Sequence, residues 1–243
     1  MKIFGLIGKS LSHSFSKDFF NKKFLNENIS ARYLNFEIEN ISSLRQLFIK
    51  NHIIGLNVTI PYKEKIIPYL DSLDNVSNTL GAVNTILPNY KNNKLISLKG
   101  FNTDVYGFHQ MIKPYLTTNH SKALILGTGG ASKAVAYVLK SYNIDVNYIS
   151  RNERLSEQNY FTWKDINNHM VENHNLIINT TPLGMYPNIV EKIDFPYEYI
   201  NSKHLIIDLI YNPSKTFFLL KCEENNAQIL NGYQMLVHQA LKA

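Results

Sequence analysis

The sequence has 243 residues, enough for one large or two modest domains, each with its own core. Its 44% hydrophobic and 18% charged content is that of an ordinary globular protein; no run approaches the roughly 20 apolar residues of a membrane span, and the single cysteine, Cys222, excludes an intrachain disulfide framework or a cysteine-built metal cluster. The net charge of +6 comes without a clustered basic block, which argues against nucleic acid and suits a small anionic ligand.

The opening "MKIFGLIGKSLSHS" has a lysine and a short apolar stretch, as a signal peptide would. Gly5 and Gly8 interrupt it and no small-residue cleavage site follows, so it reads as a first buried strand of a cytoplasmic chain. Strand-like and helix-like stretches then alternate, the pattern of an α/β fold. The order is strand 2–8, helix 15–27, strand 31–37, helix 41–50, strand 55–60 and a helix opening at Pro61, where a missing N–H costs nothing. Residues 81–103 read as a hairpin closed by the Asn-rich turn "NYKNNK", and 105–115 as a helix.

A second unit follows. "KALILGTGGASKAVAYVLKSYNIDVNYISR" spells strand, glycine turn, helix, strand. "NLIINTTP" and "HLIIDLIY" supply two more apolar strands, "KTFFLLKCEEN" a helix holding Cys222 in a structural position, and "QILNG" a short last strand. The closing "YQMLVHQALKA" is helical, with Met235, Leu236, Gln239 and Ala240 near one face. The expected division is a substrate domain of 1–103 plus 233–243 and a nucleotide domain of 104–232, with a ligand cleft between them.

Gly127, Gly129 and Gly130 follow an apolar strand directly, a turn in which bare backbone can approach a pyrophosphate lying on the next helix's N-terminus. Ser132 takes the third small position. Where a coenzyme with a free ribose 2′-hydroxyl usually meets an acidic residue, the next strand ends in Ser150 and Arg151. An arginine there offers a planar cation to a 2′-phosphate, so NADP(H) is expected over NAD(H). Hydride transfer to a carbonyl also needs a group that stabilises or protonates the oxygen. There is no HExxH and the eight histidines show no metal spacing. Tyr90/Lys94 and Tyr199/Lys203 have the Tyr-x-x-x-Lys spacing of short-chain dehydrogenases, but they fall in a turn and a loop, and those enzymes place their glycine turn near the N-terminus rather than at residue 127. Lys63, two residues beyond the strand end at Pro61, remains as a candidate proton donor, with Asp104 as a carboxylate that could orient it; a solvated surface lysine is the competing reading.

The motifs "HSFS" (13–16), "NVTIPYKE" (57–64), "GAVNT" (81–85), "NTD" (102–104), "GTGGASKA" (127–134), "INTTPLGM" (178–185), "DLIYNPSKT" (208–216) and "YQMLVHQA" (233–240) stand in the order and near-spacing of one family. Over nearly its whole length the chain resembles the shikimate dehydrogenases. The resemblance implies a two-domain fold, an α/β substrate domain and a Rossmann-type doubly wound NADP-binding domain. It also implies reversible NADPH-dependent reduction of 3-dehydroshikimate to shikimate in aromatic amino acid biosynthesis, by a monomer or homodimer with a small anionic substrate and neither nucleic acid nor membrane as partner. By the same resemblance Lys63 and Asp104 are the catalytic pair. Ser14 and Ser16 bind the carboxylate; Thr59, Asn84, Asp104 and Gln239 bind the ring hydroxyls; Tyr211 contacts substrate. Gly127, Gly129, Gly130 and Ala131 hold the pyrophosphate and Arg151 the 2′-phosphate, while Thr180, Met185 and Gly232 lie near the nicotinamide.

The chain departs from that family at several points. Lys17 and Ser10 stand where relatives usually have prolines, which predicts a looser substrate loop, and "SRN" replaces the usual Asn-Arg-Thr, which predicts a weaker NADP preference. The chain ends at "VHQALKA", where relatives generally continue through another helix; a less stable substrate domain is expected, with Gln239 near a fraying terminus. A quinate/shikimate dehydrogenase and a catalytically impaired NADP-binding homologue are the alternatives.

Overall fold

Runs rich in isoleucine, leucine and valine form two six-stranded sheets in a computed structural model that describes residues 1–11, 14–152 and 158–243. Ser12 and His13, the latter the first residue of "HSFS", lie outside the described residues. Packing divides the chain into one unit of Met1–Thr103 with Ala243 and a second of Asp104–Lys242.

The first unit holds β1 (Lys2–Gly8), α1 (Phe15–Asn26), β2 (Ala31–Glu37), α2 (Leu44–Asn51), β3 (Ile53–Val58), α3 (Tyr62–Lys65), β4 (Ser72–Leu73), α4 (Asn75–Leu80), β5 (Thr85–Lys91) and β6 (Lys94–Phe101). Strand order is β2-β1-β3-β5-β6-β4, parallel across β2, β1 and β3 and antiparallel from β3 through β5 to β6. The hairpin foreseen at "NYKNNK" turns on Asn92 and Asn93, with φ of 50° and 62°, a left-handed pair that asparagine tolerates. The elements β4 and α4 were not foreseen. The first is two residues long and has no readable period, while the second is marked only by its ends: Asp74 accepts from Ser77 N at 2.8 Å, and Gly81 leaves the helix at φ 61°. Ile7, Leu44, Phe48, Ile53, Leu56, Ile86 and Leu98 fill this unit's main core. A smaller cluster of Leu6, Leu11 and Tyr33 lies under α1, where Phe20 stacks on Tyr33 at 4.7 Å.

The second unit holds α5 (Asp104–Ile112), β7 (Lys122–Leu126), α6 (Gly130–Ser141), β8 (Asp145–Ser150), β9 (Tyr160–Thr162), α7 (Asn168–Glu172), β10 (Leu176–Asn179), β11 (Leu205–Asp208), α8 (Phe217–Glu224), β12 (Gln228–Asn231) and α9 (Tyr233–Lys242). Every strand pair is parallel, in the order β12-β11-β10-β7-β8-β9. Parallel sheets bury both faces, and β7, β10 and β11 accordingly read as unbroken aliphatic runs. Strand order reverses between β7 and β10, which makes the sheet doubly wound and places a crevice at their carboxyl ends. The last helix, α9, packs on α5, where a Cβ at Gly107 would lie 2.6 Å from Met235 O and 2.8 Å from Gln239 Cβ. Both helices cluster with the second unit. Among the described residues no helix is long and apolar enough to cross a membrane.

Candidate active site

In the first unit the polar residues gather where β1 and β3 end. Chain leaving β1 at Gly8 has no room for a side chain, since a Cβ there would meet Thr59 Cγ2 at 2.9 Å and Leu11 Cδ2 at 2.6 Å. Leu11 is then pinned at both backbone groups: its N–H donates to Glu37 Oε1 at 2.6 Å and its carbonyl accepts from Asn35 Nδ2 at 2.9 Å. Three residues later Ser14 takes the N-cap position of α1, yet its hydroxyl makes no capping bond. Ser14 Oγ is shielded from water and has no hydrogen-bond partner among the described residues. A buried, unanswered hydroxyl at the start of a twelve-residue helix, where the helix dipole is positive, is suited to receive an anion.

Ser16, the second residue of α1, stands close to the buried Tyr33 hydroxyl. Tyr33 in turn donates to Asn57 Oδ1 at 2.8 Å, and Asn57 Nδ2 donates to Thr85 Oγ1 at 3.1 Å. Thr85 Oγ1 donates to Asn84 Oδ1 at 3.1 Å; Asn84 Oδ1 also accepts from Thr103 N at 2.8 Å, and its Nδ2 donates to Thr103 Oγ1 at 2.9 Å. A continuous hydrogen-bonded chain thus runs from Tyr33 to Thr103, and it fixes the buried Asn84 as a cross-link between segments. Thr59 follows β3, its N–H on Ile7 O at 3.0 Å. Lys63 sits half-buried on α3, whose backbone is held by Val83 N donating to Lys63 O at 2.8 Å.

In the second unit Asp104 is buried at the first position of α5 and Gln239 lies on α9, with its Nε2 donating to Leu236 O at 3.1 Å. The glycine turn falls at the sheet's reversal point. Gly127 has φ 104° and a Cβ on it would meet Thr180 Oγ1 at 2.8 Å, so both conformation and space demand glycine there. Thr180 Oγ1 donates to Leu126 O at 2.8 Å and so closes the crevice floor. Gly129, the N-cap of α6, and Gly130 face open space, with no atom within 4 Å of an added Cβ, and α6 starts without a side-chain cap. Ser132, buried, donates to Gly129 O at 2.6 Å and braces the turn. Uncovered N–H groups at an open, side-chain-free helix start fit a dinucleotide pyrophosphate.

Arg151 is exposed just past β8, beside the buried Ser150, whose Oγ donates to Asn152 O. Met185 is exposed in the loop after β10, and Tyr211, partly buried, lies in the loop after β11 with its phenol pKa raised by desolvation. Gly232 ends the β12 segment against Leu209, whose carbonyl oxygen an added Cβ would meet at 1.9 Å. Cys222 is buried in α8 and burial pushes its thiol up to about 12, so it is an inert core group. Among the described residues no group of three or more His, Cys, Asp or Glu could hold a metal ion.

The sequence reading did not single out Asn57 or Asp208. Their signals were a polar residue inside the apolar strand "IIGLNV" and a carboxylate closing "LIID".

A doubly wound parallel sheet with a glycine turn at its reversal point, joined in one chain to a second α/β sheet, defines a two-domain dinucleotide-binding protein. Residues 6–86 match the shikimate dehydrogenase substrate binding domain. The shikimate dehydrogenase (NADP(+)) of Methanosphaera stadtmanae is 36% identical over 261 residues, covering 99% of this chain and 89% of that protein. Shikimate dehydrogenase 1 from Peptoclostridium difficile superimposes with a TM-score of 0.84 at 37% identity, over 100% of this chain and 89% of that one. The shikimate 5-dehydrogenase of Thermus thermophilus, solved in complex with NADP(H) and shikimate, gives 0.83 at 25% identity, over 99% and 90%. The chain belongs to the shikimate dehydrogenase family.

Proposed function

We propose that this protein is an NADP-dependent shikimate dehydrogenase, a cytoplasmic enzyme that reversibly reduces the carbonyl of 3-dehydroshikimate to the hydroxyl of shikimate. The observation that carries the substrate half is Ser14 Oγ, a buried hydroxyl without a partner among the described residues, at the N-terminus of α1 and in the segment that matches the family's substrate binding domain. A carboxylate is the ligand that answers it: it accepts from hydroxyls, and the helix start favours its charge. Ser16 is assigned the second bond to that carboxylate.

Reduction adds a hydride to the carbonyl carbon and a proton to its oxygen. NADPH, when bound, supplies the hydride; the open turn at Gly127, Gly129, Gly130 and Ala131 would hold its pyrophosphate, Arg151 its 2′-phosphate, and Thr180, Met185 and Gly232 its nicotinamide end. Lys63 is assigned the proton, given to the oxygen during reduction and taken from the hydroxyl during oxidation, with Asp104 orienting its ammonium. Thr59, Asn84, Asp104 and Gln239 are assigned the ring hydroxyls and Tyr211 a further substrate contact, so that residues 1–103 with α9 serve the substrate and 104–232 the coenzyme.

The test is the rise in absorbance as NADP is reduced, first with shikimate and then with quinate. Turnover of shikimate, with a much lower kcat/KM for quinate, supports the reading. Binding of NADPH without turnover of either compound overturns it.

A further inference from the structure

Asp208 closes β11 with a carboxylate that water does not reach, and the proposed reaction gives it no role. Its Oδ1 accepts from Asn179 Nδ2 and from Ile210 N, both at 3.0 Å, and its Oδ2 accepts from Thr216 Oγ1 at 2.6 Å. Asn179, also fully buried, passes the link onward: its Oδ1 accepts from Thr181 N at 2.9 Å and Thr181 Oγ1 at 2.7 Å. Thr216 is the N-cap of α8. One carboxylate thereby ties together the loop after β10, the loop after β11 and the start of α8. Backbone bonds run alongside, Leu209 N to Asn179 O at 3.0 Å and Tyr186 N to Asn212 O at 3.0 Å.

Holding this charge is costly. Burial raises the acid to about 6, against the pull of the three hydrogen bonds. The titratable neighbours that feel it, Cys222 on α8 and Tyr197, are both kept neutral by their own burial and offer no compensating cation. An aliphatic side chain would spare the fold that cost, as it does at the preceding positions of "LIID". What the carboxylate supplies instead is three charge-assisted bonds that fix two loops in one arrangement.

We infer that Asp208 is a positioning residue for the nicotinamide end of the coenzyme: through Asn179 and Ile210 it holds the loops that carry Thr180, Met185 and Tyr211 in the shape that receives it. The inference rests on the proposed function. It concerns only the nicotinamide side of the sheet, since Arg151 and the glycine turn lie on segments that Asp208 does not bond.

The test compares two ligands by calorimetry on the unmodified protein, Asp208→Asn and Thr181→Val. One ligand is NADPH; the other is adenosine 2′,5′-bisphosphate, which has the phosphate-tagged adenosine half and no nicotinamide. For Asp208→Asn the NADPH Kd should rise about tenfold or more and the bisphosphate Kd stay within about twofold, the expected signature of losing charge-assisted bonds on one side only. Thr181→Val, which cuts the last link and leaves the carboxylate in place, should show the same selectivity more weakly; it carries the test alone if Asp208→Asn does not fold. Unchanged NADPH affinity in a folded variant overturns the inference, and so does parallel loss of both ligands, which would mean general loosening of the domain. An unmodified protein that binds neither ligand overturns the proposed function and this inference with it.

Discussion

Replacing Ser14 with alanine should make the protein more stable and less able to hold its substrate. At most N-caps a serine-to-alanine change costs about 1 kcal/mol, because a side-chain bond to the helix is lost. Ser14 makes no such bond, and its φ of −69° and ψ of 115° are open to alanine. Its Oγ is instead buried without a partner among the described residues, a state that costs roughly 1–3 kcal/mol in the ligand-free protein. Removing the hydroxyl should therefore return about 1 kcal/mol after allowance for the small void, a rise in Tm of roughly 2–4 °C for a chain of this size. Toward a carboxylate the same hydroxyl is worth about 1.5–3 kcal/mol, so KM for shikimate should rise roughly 10- to 100-fold with kcat much less affected. Thermal melts with and without shikimate, alongside steady-state kinetics, read both effects. A Ser14→Ala protein with a lower Tm and an unchanged KM would refute the reasoning.

Lys63→Ala should lower kcat by about 10²–10⁴-fold, the usual worth of a positioned acid–base group, with a much smaller change in KM for shikimate; a nearly active variant removes Lys63 from the chemistry. Arg151→Ala should raise KM for NADPH by about tenfold and leave KM for NADH unmoved, since only the former presents a phosphate to the guanidinium; equal effects on both would unseat the assignment. Gly232→Ala drives a Cβ into the Leu209 backbone, so stability should fall by about 3 kcal/mol, seen as a Tm roughly 6–12 °C lower; an unchanged melt would mean the β12 segment shifts freely. Asp208 gives a pH signature. Its carboxyl rises from 3.8 to about 6 on folding, so the folded state binds its proton more tightly and the cost of the charge is complete above pH 6 and relieved as pH falls toward 4. In chemical denaturation the stability of Asp208→Asn relative to the unmodified protein should therefore drop by about 2 kcal/mol between pH 7 and pH 4. His120 and His174, whose pKa values burial lowers, weaken both proteins as pH falls below about 6.5 and cancel in the comparison. A pH-independent difference would mean that Asp208 does not titrate as its burial requires.

The sequence announces those features whose cause is local. Gly127 is legible because a backbone at φ 104° pressed against Thr180 admits almost nothing but glycine, and that demand falls on one position next to an aliphatic strand. The hairpin is legible because two consecutive left-handed residues ask for asparagine or glycine. Boundaries blur by a residue or two, as when the strand read at 55–60 runs from Ile53 to Val58. The short elements α7 and β9 carry too few residues for a period to show.

What stays hidden is any group whose meaning is a partner far along the chain. Tyr33 reads as one more aromatic in a strand; its hydroxyl acquires a purpose only when β2 and β3 flank β1 and bring Asn57, 24 residues on, within 2.8 Å. Asp208 likewise reads as the polar end of an aliphatic run until the parallel register pairs it with Asn179 across β10 and β11. Those same partnerships are the ones a buried polar group cannot do without, since leaving either member alone in the core costs more than the bond itself returns. The residues least visible in the sequence are thus among those whose loss the folded protein should feel most. Ser14 is the instructive exception: it stands alone among the described residues because the proposed partner arrives from outside.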